Sequence, residues 1–228
     1  MQFLVKSLKA HYSGDKMGEY VILVDENDSP IGKEDKVKCH LPNGKLHRAF
    51  TALIFNGDGK LLLTKRSEGK MLWPNDWDGT VASHPRESET YVSSAERRMP
   101  EEIGIECKMS YVNKFEYHVP YKDVGSENEI CGTLIGTIDN FDESSMIKDE
   151  ISEIKWINPD ELKNELEQNK DAYCPWMVIA LYFLADFDPN MPEKFNSLIA
   201  KWASDDLKRV YENAIKHYIP DNNWRLVP

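Results

Sequence analysis

The alternation of apolar and polar residues predicts a series of short strands. Runs rich in β-branched and aromatic residues, each bounded by turn residues, lie at 20–24, 48–55, 60–66, 111–118, 130–138 and 153–157. Such runs are typical of half-buried strands. Asn56-Gly57 is a strong hairpin signal, so the second and third runs are expected to pair with each other.

A change of period predicts a helix between residues 90 and 103. Its apolar positions recur at helical spacing and are Val92, Ala95, Met99 and Ile103. They form one stripe, and Gly104 is expected to end the helix. Pro100 lies inside the helix, where it removes a backbone hydrogen bond at a cost of about 3 kcal/mol, so we predict a kink there.

Charged residues lie beside this stripe. Arg98, Glu101 and Glu102 share one flank, because positions three and four apart lie on the same face. A loop carrying His84 precedes the helix. Acids and bases next to a histidine loop suggest a metal–phosphate site, and a solvated charged face is the alternative.

Further helices are predicted at 159–166, 175–185, 195–202 and 207–218. The sum is a mixed α+β fold with three parts. We expect an N-terminal arm at 1–19, a catalytic-size domain at 20–188, and a helical C-terminal extension at 189–228 that packs on the body or on a partner.

Composition narrows the function. Hydrophobic residues make up 41% of the 228 residues and charged residues 29%, as in globular domains. The net charge of −11 argues against nucleic acid and an anionic membrane surface as partners. The longest apolar run is far too short to span a membrane. The 4 cysteines have no paired spacing, so a reducing, cytoplasmic location is expected; the oligomeric state stays open.

Three histidines and two glutamates are candidate metal ligands. His40, His47 and His84 lie in polar segments beside turns, and Glu127 and Glu129 would share one face of a strand. Nitrogen and carboxylate donors suit Mn²⁺, Zn²⁺ or Fe²⁺ better than Mg²⁺. Surface histidines and a solvated pair of loop carboxylates are the alternatives.

Basic and aromatic residues are candidates for substrate binding. The basic set that could converge on a diphosphate is Lys36, Arg66, Lys70 and Arg98. The aromatic set that could line an apolar pocket is Trp73, Trp77, Tyr117 and Trp176. Solvation of the bases and core packing of the aromatics are the alternatives.

The helix and its loop resemble the Nudix box, G-x5-E-x7-R-E-U-x-E-E-x-G-U, where U is a bulky apolar residue. Matching positions are Glu89, Arg97, Met99, Glu101, Glu102, Gly104 and Ile105. Ser83 replaces the first glycine, and Arg98 replaces a glutamate, as it does in type 1 isopentenyl-diphosphate isomerases. Segments 46–50, 61–66, 83–85, 127–131 and 175–177 also resemble landmarks of these isomerases. The resemblance covers roughly residues 20–187.

The resemblance implies a Nudix fold, with a mixed β-sheet sandwiched by helices, and a prenyl-diphosphate site. It implies a divalent metal (Mn²⁺ or Zn²⁺) held by His40, His47, His84, Glu127 and Glu129. It further implies Mg²⁺ between Glu102 and the diphosphate, surrounded by Lys36, Arg66, Lys70 and Arg98. Trp176 would face the prenyl tail, and Tyr117 and Glu129 would flank the reacting carbons.

The main departure is Ala82, which stands where the isomerases have a catalytic cysteine. Allylic isomerisation needs proton-handling groups on both sides of the substrate, and alanine cannot handle a proton. Gly79, where the isomerases usually carry asparagine, also differs. The chain retains both Glu101 and Glu102, whereas the isomerases often lack the first glutamate. Such a pair can hold Mg²⁺ and activate water.

The sequence therefore predicts a Mg²⁺-dependent hydrolase that cleaves isopentenyl or dimethylallyl diphosphate to the prenyl monophosphate and phosphate. Glu101 and Glu102 would handle Mg²⁺ and water, while Trp73 and Trp176 would contact the tail. The alternatives are an isomerase with weakened or rerouted acid–base chemistry and a catalytically silent prenyl-diphosphate binder. A nucleoside-diphosphate hydrolase is a weaker fourth hypothesis.

Overall fold

The computed structural model describes residues 19–139, 141–142, 144, 146–188 and 190–228. The expected N-terminal arm therefore lies outside the described residues except for Glu19. The strands are β1 Tyr20–Val24, β2 Pro30–Asp35, β3 His47–Phe55, β4 Leu61–Arg66, β5 Trp77–Asp78, β6 Val81–Ser83, β7 Ser110–Tyr121, β8 Gly125–Thr137, β9 Ile151–Ile157 and β10 Trp224–Val227. The helices are α1 Lys36–His40, α2 Tyr91–Glu102, α3 Pro159–Asn169, α4 Pro175–Tyr182, α5 Asn196–Trp202 and α6 Asp205–Tyr218.

The strands form one mixed sheet. Its central order is β10-β7-β8-β3-β1-β2, with β3 and β8 parallel, and β4, β5, β6 and β9 branch from β3 and β4. The expected hairpin is only partly formed, since β3 and β4 pair at Phe55 and Leu61 alone and β4 pairs mainly with β9. The reason is that β3 is already bonded to β8 on one side and to β6 on the other.

Helices cover both faces of this sheet, and strand alternation divides the core between them. On β3, Leu53 and Phe55 face the core shared with α3, α4, α5 and α6, whereas Ala52 and Ile54 face the core shared with α2. Successive side chains of a strand point to opposite faces, so one strand supplies both layers. The predicted α+β class, with a sheet between helices, is confirmed.

Helix α2 begins and ends where the sequence predicted. The Thr90 hydroxyl accepts the backbone N–H of Ser93, which caps the first turn. Gly104 follows the helix at φ +72°, a conformation that favours glycine. The helix runs through the exposed Pro100 to Glu102 without a break. The kink predicted at Pro100 is a change in the direction of the helix axis, which an unbroken helix does not decide, so it stays a prediction.

The C-terminal residues belong to the same core as the sheet. Helix α6 packs on α3 and α4, and its buried face includes Val210, Tyr211 and Ile215. Strand β10, which the sequence did not predict, pairs antiparallel with β7 and places Trp224 opposite Tyr117. The boundary at residue 188 stays a prediction. Among the described residues, no helix combines the length and the apolar character that crossing a membrane would need.

Candidate active site

Four separate elements bring the predicted metal ligands together. His40 is the last residue of α1, His47 is the first of β3, and His84 directly follows β6. Glu127 and Glu129 lie on β8, which begins at Gly125, earlier than the sequence predicted. The parallel register of β3 and β8 pairs His47 with Glu129 directly. We call these five residues the histidine cluster.

The donor atoms of this cluster face one another. One donor atom each from His40, His47, His84 and Glu129 lies within 4.8 Å of all the others. The Nε2 atoms of His47 and His84 are 3.2 Å apart, and each lies 3.3 Å from Oε1 of Glu129. His40 and His47 point Nδ1 at the carbonyl oxygens of Lys36 and Lys45, at 2.6 and 2.8 Å. With the ring proton on Nδ1, the Nε2 lone pairs are directed into the cluster.

Glu127 completes the set. Its Oε2 atom lies 2.9 Å from Nε2 of His40 and is buried, but it has no aligned hydrogen-bond donor among the described residues. A buried carboxylate oxygen without a donor is costly unless a cation neutralises it. This oxygen and the converging imidazole nitrogens therefore fit a divalent metal with nitrogen and oxygen ligands. The metal's identity stays a prediction.

Burial and mutual interaction shift the pKa values of these groups in opposite directions. Burial lowers the pKa of His84 to about 4, against the hydrogen bond to Glu129. Burial also disfavours charge on His47, yet its contacts with Cys39 and Glu129 raise its pKa well above the usual value. For Glu129, the two histidines overcome burial and hold its pKa well below the usual value. The cluster therefore keeps Glu129 ionised and His84 neutral.

Tyr117 of β7 bonds to the same glutamate. Its hydroxyl donates to Oε2 of Glu129 at 2.6 Å, and both side chains are buried. Burial and the negative charge of Glu129 raise the pKa of Tyr117 well above its usual value. The phenol therefore keeps its proton, and that proton points at the carboxylate.

A small cavity of about 50 Å³ opens beside the histidine cluster. Three of the predicted basic residues line it, namely Lys36, Arg66 and Lys70. Tyr117, Glu127, Glu129 and Trp176 also line it. Ala82 and Ser83 of β6 contribute another part of the lining, and β3 lies between their strand and that of Glu129.

Each predicted basic residue pairs with a carboxylate of the chain. The pairs are Lys36 with Glu19 at 3.3 Å, Arg66 with Asp78 at 3.2 Å, Lys70 with Glu150, and Arg98 with Glu102 at 2.6 Å and Glu150 at 3.8 Å. A bound diphosphate would have to replace some of these carboxylates. Glu150 and Asp78 were not identified from the sequence, where charge was their only signal.

Asp78 links two predicted substrate-binding residues. Its buried carboxylate accepts the indole N–H of Trp176 at 2.7 Å and a guanidinium N–H of Arg66 at 3.2 Å. The backbone N–H of Gly79 donates to it at 2.7 Å. Burial raises the pKa of Asp78, although Arg66 acts in the opposite sense. One carboxylate therefore orients a candidate phosphate ligand and a candidate tail contact together.

Six of the residues predicted for the site do not line the cavity, namely His47, Trp73, Trp77, Arg98, Glu101 and Glu102. Glu101 accepts hydrogen bonds from Arg97 at 3.0 Å and Arg98 at 2.9 Å, and Glu102 is bonded to Arg98. Trp73 packs behind Trp176, with their ring centroids 5.2 Å apart. Arg97 and Arg98 therefore hold the carboxylate of Glu101, and Trp176 lies between Trp73 and the cavity. The predicted roles of Glu101 and Trp73 stay predictions.

A family model described as the NUDIX domain matches residues 45–177. The chain belongs to the Nudix family. This Nudix chain is 37% identical over 178 residues to an isopentenyl-diphosphate Delta-isomerase of Halobacterium salinarum, a match covering 74% of the chain and 82% of the relative. It is 34% identical over 160 residues to isopentenyl-diphosphate Delta-isomerase 1 of Photorhabdus laumondii, covering 69% and 90%.

A solved structure supports the same fold. A crystal structure of a Deinococcus radiodurans protein matches with a TM-score of 0.56 at 21% identity, covering 71% of this Nudix chain and 97% of the other. The resemblance inferred from the sequence is confirmed by the family match and by the isomerase relatives. By this kinship the Nudix chain is an enzyme, and the two relatives named here are isomerases.

Proposed function

We propose that the chain converts isopentenyl diphosphate and dimethylallyl diphosphate into each other. This choice replaces the hydrolase as the leading hypothesis. The observation that carries it is the buried Tyr117–Glu129 pair, which lines a cavity together with Arg66, Lys36 and Lys70. The names of the relatives support the same choice.

The reaction adds a proton to the terminal alkene carbon and removes another proton two carbons away. Tyr117 carries a proton and Glu129 carries a negative charge, so this pair can exchange a proton with one of the two carbons. A divalent metal bound by the histidine cluster would supply positive charge beside Glu129, which eases proton release from this pair. Burial of both side chains keeps bulk water from competing for the proton.

The basic residues would hold the diphosphate at the rim of the cavity. Arg66 is fixed by Asp78 and by the carbonyl oxygens of Leu72 and Trp73, at 3.1 Å each, so its guanidinium is oriented in advance. Lys36 and Lys70 would exchange Glu19 and Glu150 for phosphate oxygens. Mg²⁺ would bind between Glu102 and the diphosphate, next to Arg98.

The β6 side of the cavity limits the rate. Ala82 has no group that can accept a proton, and the neighbouring Ser83 hydroxyl is a weak base. Proton transfer on that side therefore lacks a dedicated side chain. We expect measurable but slow isomerisation.

Diphosphate hydrolysis is the second candidate, favoured by the retained Glu101–Glu102 pair and by Ala82. Against it, Glu101 is bonded to two arginines and lies outside the cavity lining. Arginine stays protonated at any ordinary pH, so the two guanidinium groups compete with a water molecule for the carboxylate oxygens of Glu101.

One assay separates the candidates. The purified chain, stripped of metal, is incubated with isopentenyl diphosphate and Mg²⁺, with and without Mn²⁺ or Zn²⁺. Dimethylallyl diphosphate and free phosphate are then measured in the same samples. Isomer without phosphate supports the proposal, and phosphate without isomer overturns it in favour of the hydrolase. Saturable binding with neither product overturns it in favour of a silent binder.

A further inference from the structure

Trp176 lines the catalytic cavity, and a second aromatic side chain packs directly on it. The ring of Trp73 meets that of Trp176 edge to face, with centroids 5.2 Å apart and an interplanar angle of 85°. Tyr121 packs on Trp73 at a centroid distance of 4.6 Å. Trp73 is only 7% exposed. The two indoles therefore form a double aromatic wall at this end of the cavity.

An outer cleft of about 400 Å³ lies on the far side of this wall. Trp73, Tyr121 and Pro175 line it from the body of the domain, and Tyr218 lines it from the C-terminal helix α6. Trp176 lines the catalytic cavity and Pro175 lines the cleft, so adjacent residues at the start of α4 face the two spaces. Trp176 borders the smaller space and Trp73 borders the larger one, and their rings are in contact.

The backbone at Trp73 is held in an unfavourable conformation. Its φ is +48°, in the left-handed region that is unfavourable for a residue with a side chain. Its carbonyl oxygen accepts the Nε–H of Arg66 at 3.1 Å, which keeps the segment attached to the phosphate-binding residue. Glycine would adopt this φ without strain. The indole side chain of Trp73 therefore occupies a position where the backbone favours glycine.

We propose that Trp73 sets the upper limit on prenyl chain length, by holding Trp176 against the end of the cavity. This inference rests on the proposed function. Trp176 is tied at its indole nitrogen to Asp78, and its edge rests on Trp73. Loss of the Trp73 side chain lets that edge move outward and joins the cavity to the outer cleft. A ten-carbon prenyl diphosphate then fits where only a five-carbon one does in the unsubstituted chain.

The test measures binding of isopentenyl diphosphate and geranyl diphosphate by calorimetry to the full chain and to Trp73→Gly. We expect the affinity for the ten-carbon ligand to rise by about 10-fold or more, and that for the five-carbon ligand to change by less than about 3-fold. Trp73→Leu, which preserves part of the packing, serves as a second variant and should give a smaller gain. Circular dichroism checks that each variant is folded.

Two substitutions serve as matched controls. Trp73→Phe keeps a ring in the wall and should show no gain for the ten-carbon ligand. Trp156→Ala removes a half-buried tryptophan that packs on the opposite core, and it should also show none. Unchanged ten-carbon affinity in folded Trp73→Gly and Trp73→Leu, with five-carbon binding intact, overturns the chain-length role alone. Absence of five-carbon binding by the unsubstituted chain overturns the proposed function as well.

Discussion

Two clusters of the described residues bring several carboxylates against several nitrogen bases, and the bases differ between them. In the histidine cluster, Glu127 and Glu129 face imidazoles inside the protein. On the flank of α2, three glutamates face guanidinium groups, and we call this the arginine cluster: Glu89, Arg97, Arg98, Glu101 and Glu102. Both clusters combine glutamates with nitrogen bases, yet the kind of base suits them to different tasks.

The difference lies in what each base can release. A guanidinium stays protonated, so the carboxylates of the arginine cluster stay paired while they are ionised and hold the helix in place, with Glu102 as the proposed Mg²⁺ ligand among them. A neutral imidazole offers a lone pair, so the histidine cluster can take a metal or pass a proton. We infer that chemistry is concentrated in the histidine cluster, and that the arginine cluster positions α2. The following changes test that division, from the largest expected effect to the smallest.

Glu129→Gln should abolish catalysis. The amide keeps the shape of the side chain but cannot carry negative charge, so both proton transfer and metal binding are impaired. We expect the rate of isomer formation to fall on the order of 10³-fold. Product formation and bound metal are measured together. Glu153→Gln, which changes a half-exposed carboxylate of β9, is the control and should leave both unchanged. A fall of less than tenfold in Glu129→Gln would contradict the assignment.

Ala82→Cys should have the opposite effect. A thiol on β6 restores a proton-handling group on the side of the cavity that lacks one. We expect isomer formation to rise by about 10²-fold, within the usual range for general acid–base catalysis. Ala82→Ser, which adds a hydroxyl of similar size, should give much less. If neither variant gains activity, the geometry of the isomerases is not preserved at this position.

Asp78→Asn changes a buried carboxylate that bonds to two residues of the cavity lining, Arg66 and Trp176. Like the histidine cluster it is buried, and like the arginine cluster it pairs with an arginine. Loss of its charge should loosen Arg66 and Trp176, and we expect KM to rise about 10-fold while kcat changes less than about 3-fold. Kinetics of isomer formation give both constants. Asp76→Asn, two residues earlier, is the control. An equal fall in kcat for Asp78→Asn would show that Asp78 acts on the chemical step instead.

The arginine cluster should show itself in acid stability. Arg97 outweighs burial and lowers the pKa of Glu89 from 4.5 to about 2. Because the folded-state pKa is depressed, the stabilisation is present above the unfolded value and is lost as pH falls from about 4.5 to about 2. Water screens this pair, so we expect Glu89→Gln to cost only about 1 kcal/mol at pH 7 and almost nothing near pH 2. Urea unfolding of both proteins across this range measures the difference.

Glu101→Gln should have the smallest effect. Its side chain is half-exposed and bonded to Arg97 and Arg98, and we expect the isomerisation rate to stay within about 3-fold of the unsubstituted chain. The same assay, with phosphate measured in parallel, tests this. A large fall in phosphate release would instead support the hydrolase hypothesis and place chemistry in the arginine cluster.

Local signals in the sequence were sufficient for α2. Its apolar stripe and its terminal glycine lie close together in the sequence, and both appear in the structure as predicted, whereas the cap at Thr90 was not predicted. The same holds for the strand runs, because period-two alternation records which face of the sheet is buried. The pairing of β4 with β9 could not be predicted, because it depends on the bonding of β3 to β6 and β8, which leaves β4 only one paired position on β3.

The residues of the histidine cluster were candidate metal ligands by residue type, and the resemblance to a known family joined them into one site. The carboxylates that pair with the predicted substrate-binding residues, Asp78 and Glu150, were missed. Asp78 is separated by 98 positions from Trp176, and Lys70 by 80 positions from Glu150. No spacing rule connects residues so far apart, and an isolated carboxylate in a sequence is usually solvated. These residues acquire a role only once the chain has folded.

Strand β10 has a consequence for where the chain can be shortened. It covers the outer edge of β7, the strand that carries Tyr117, and Trp224 lies directly opposite that tyrosine. Removing the last residues would leave the backbone groups of a long strand without partners, and such an edge tends to pair with other molecules. Residues 224–227 thus cover the edge of the strand that carries Tyr117, and we expect their removal to favour self-association through that strand.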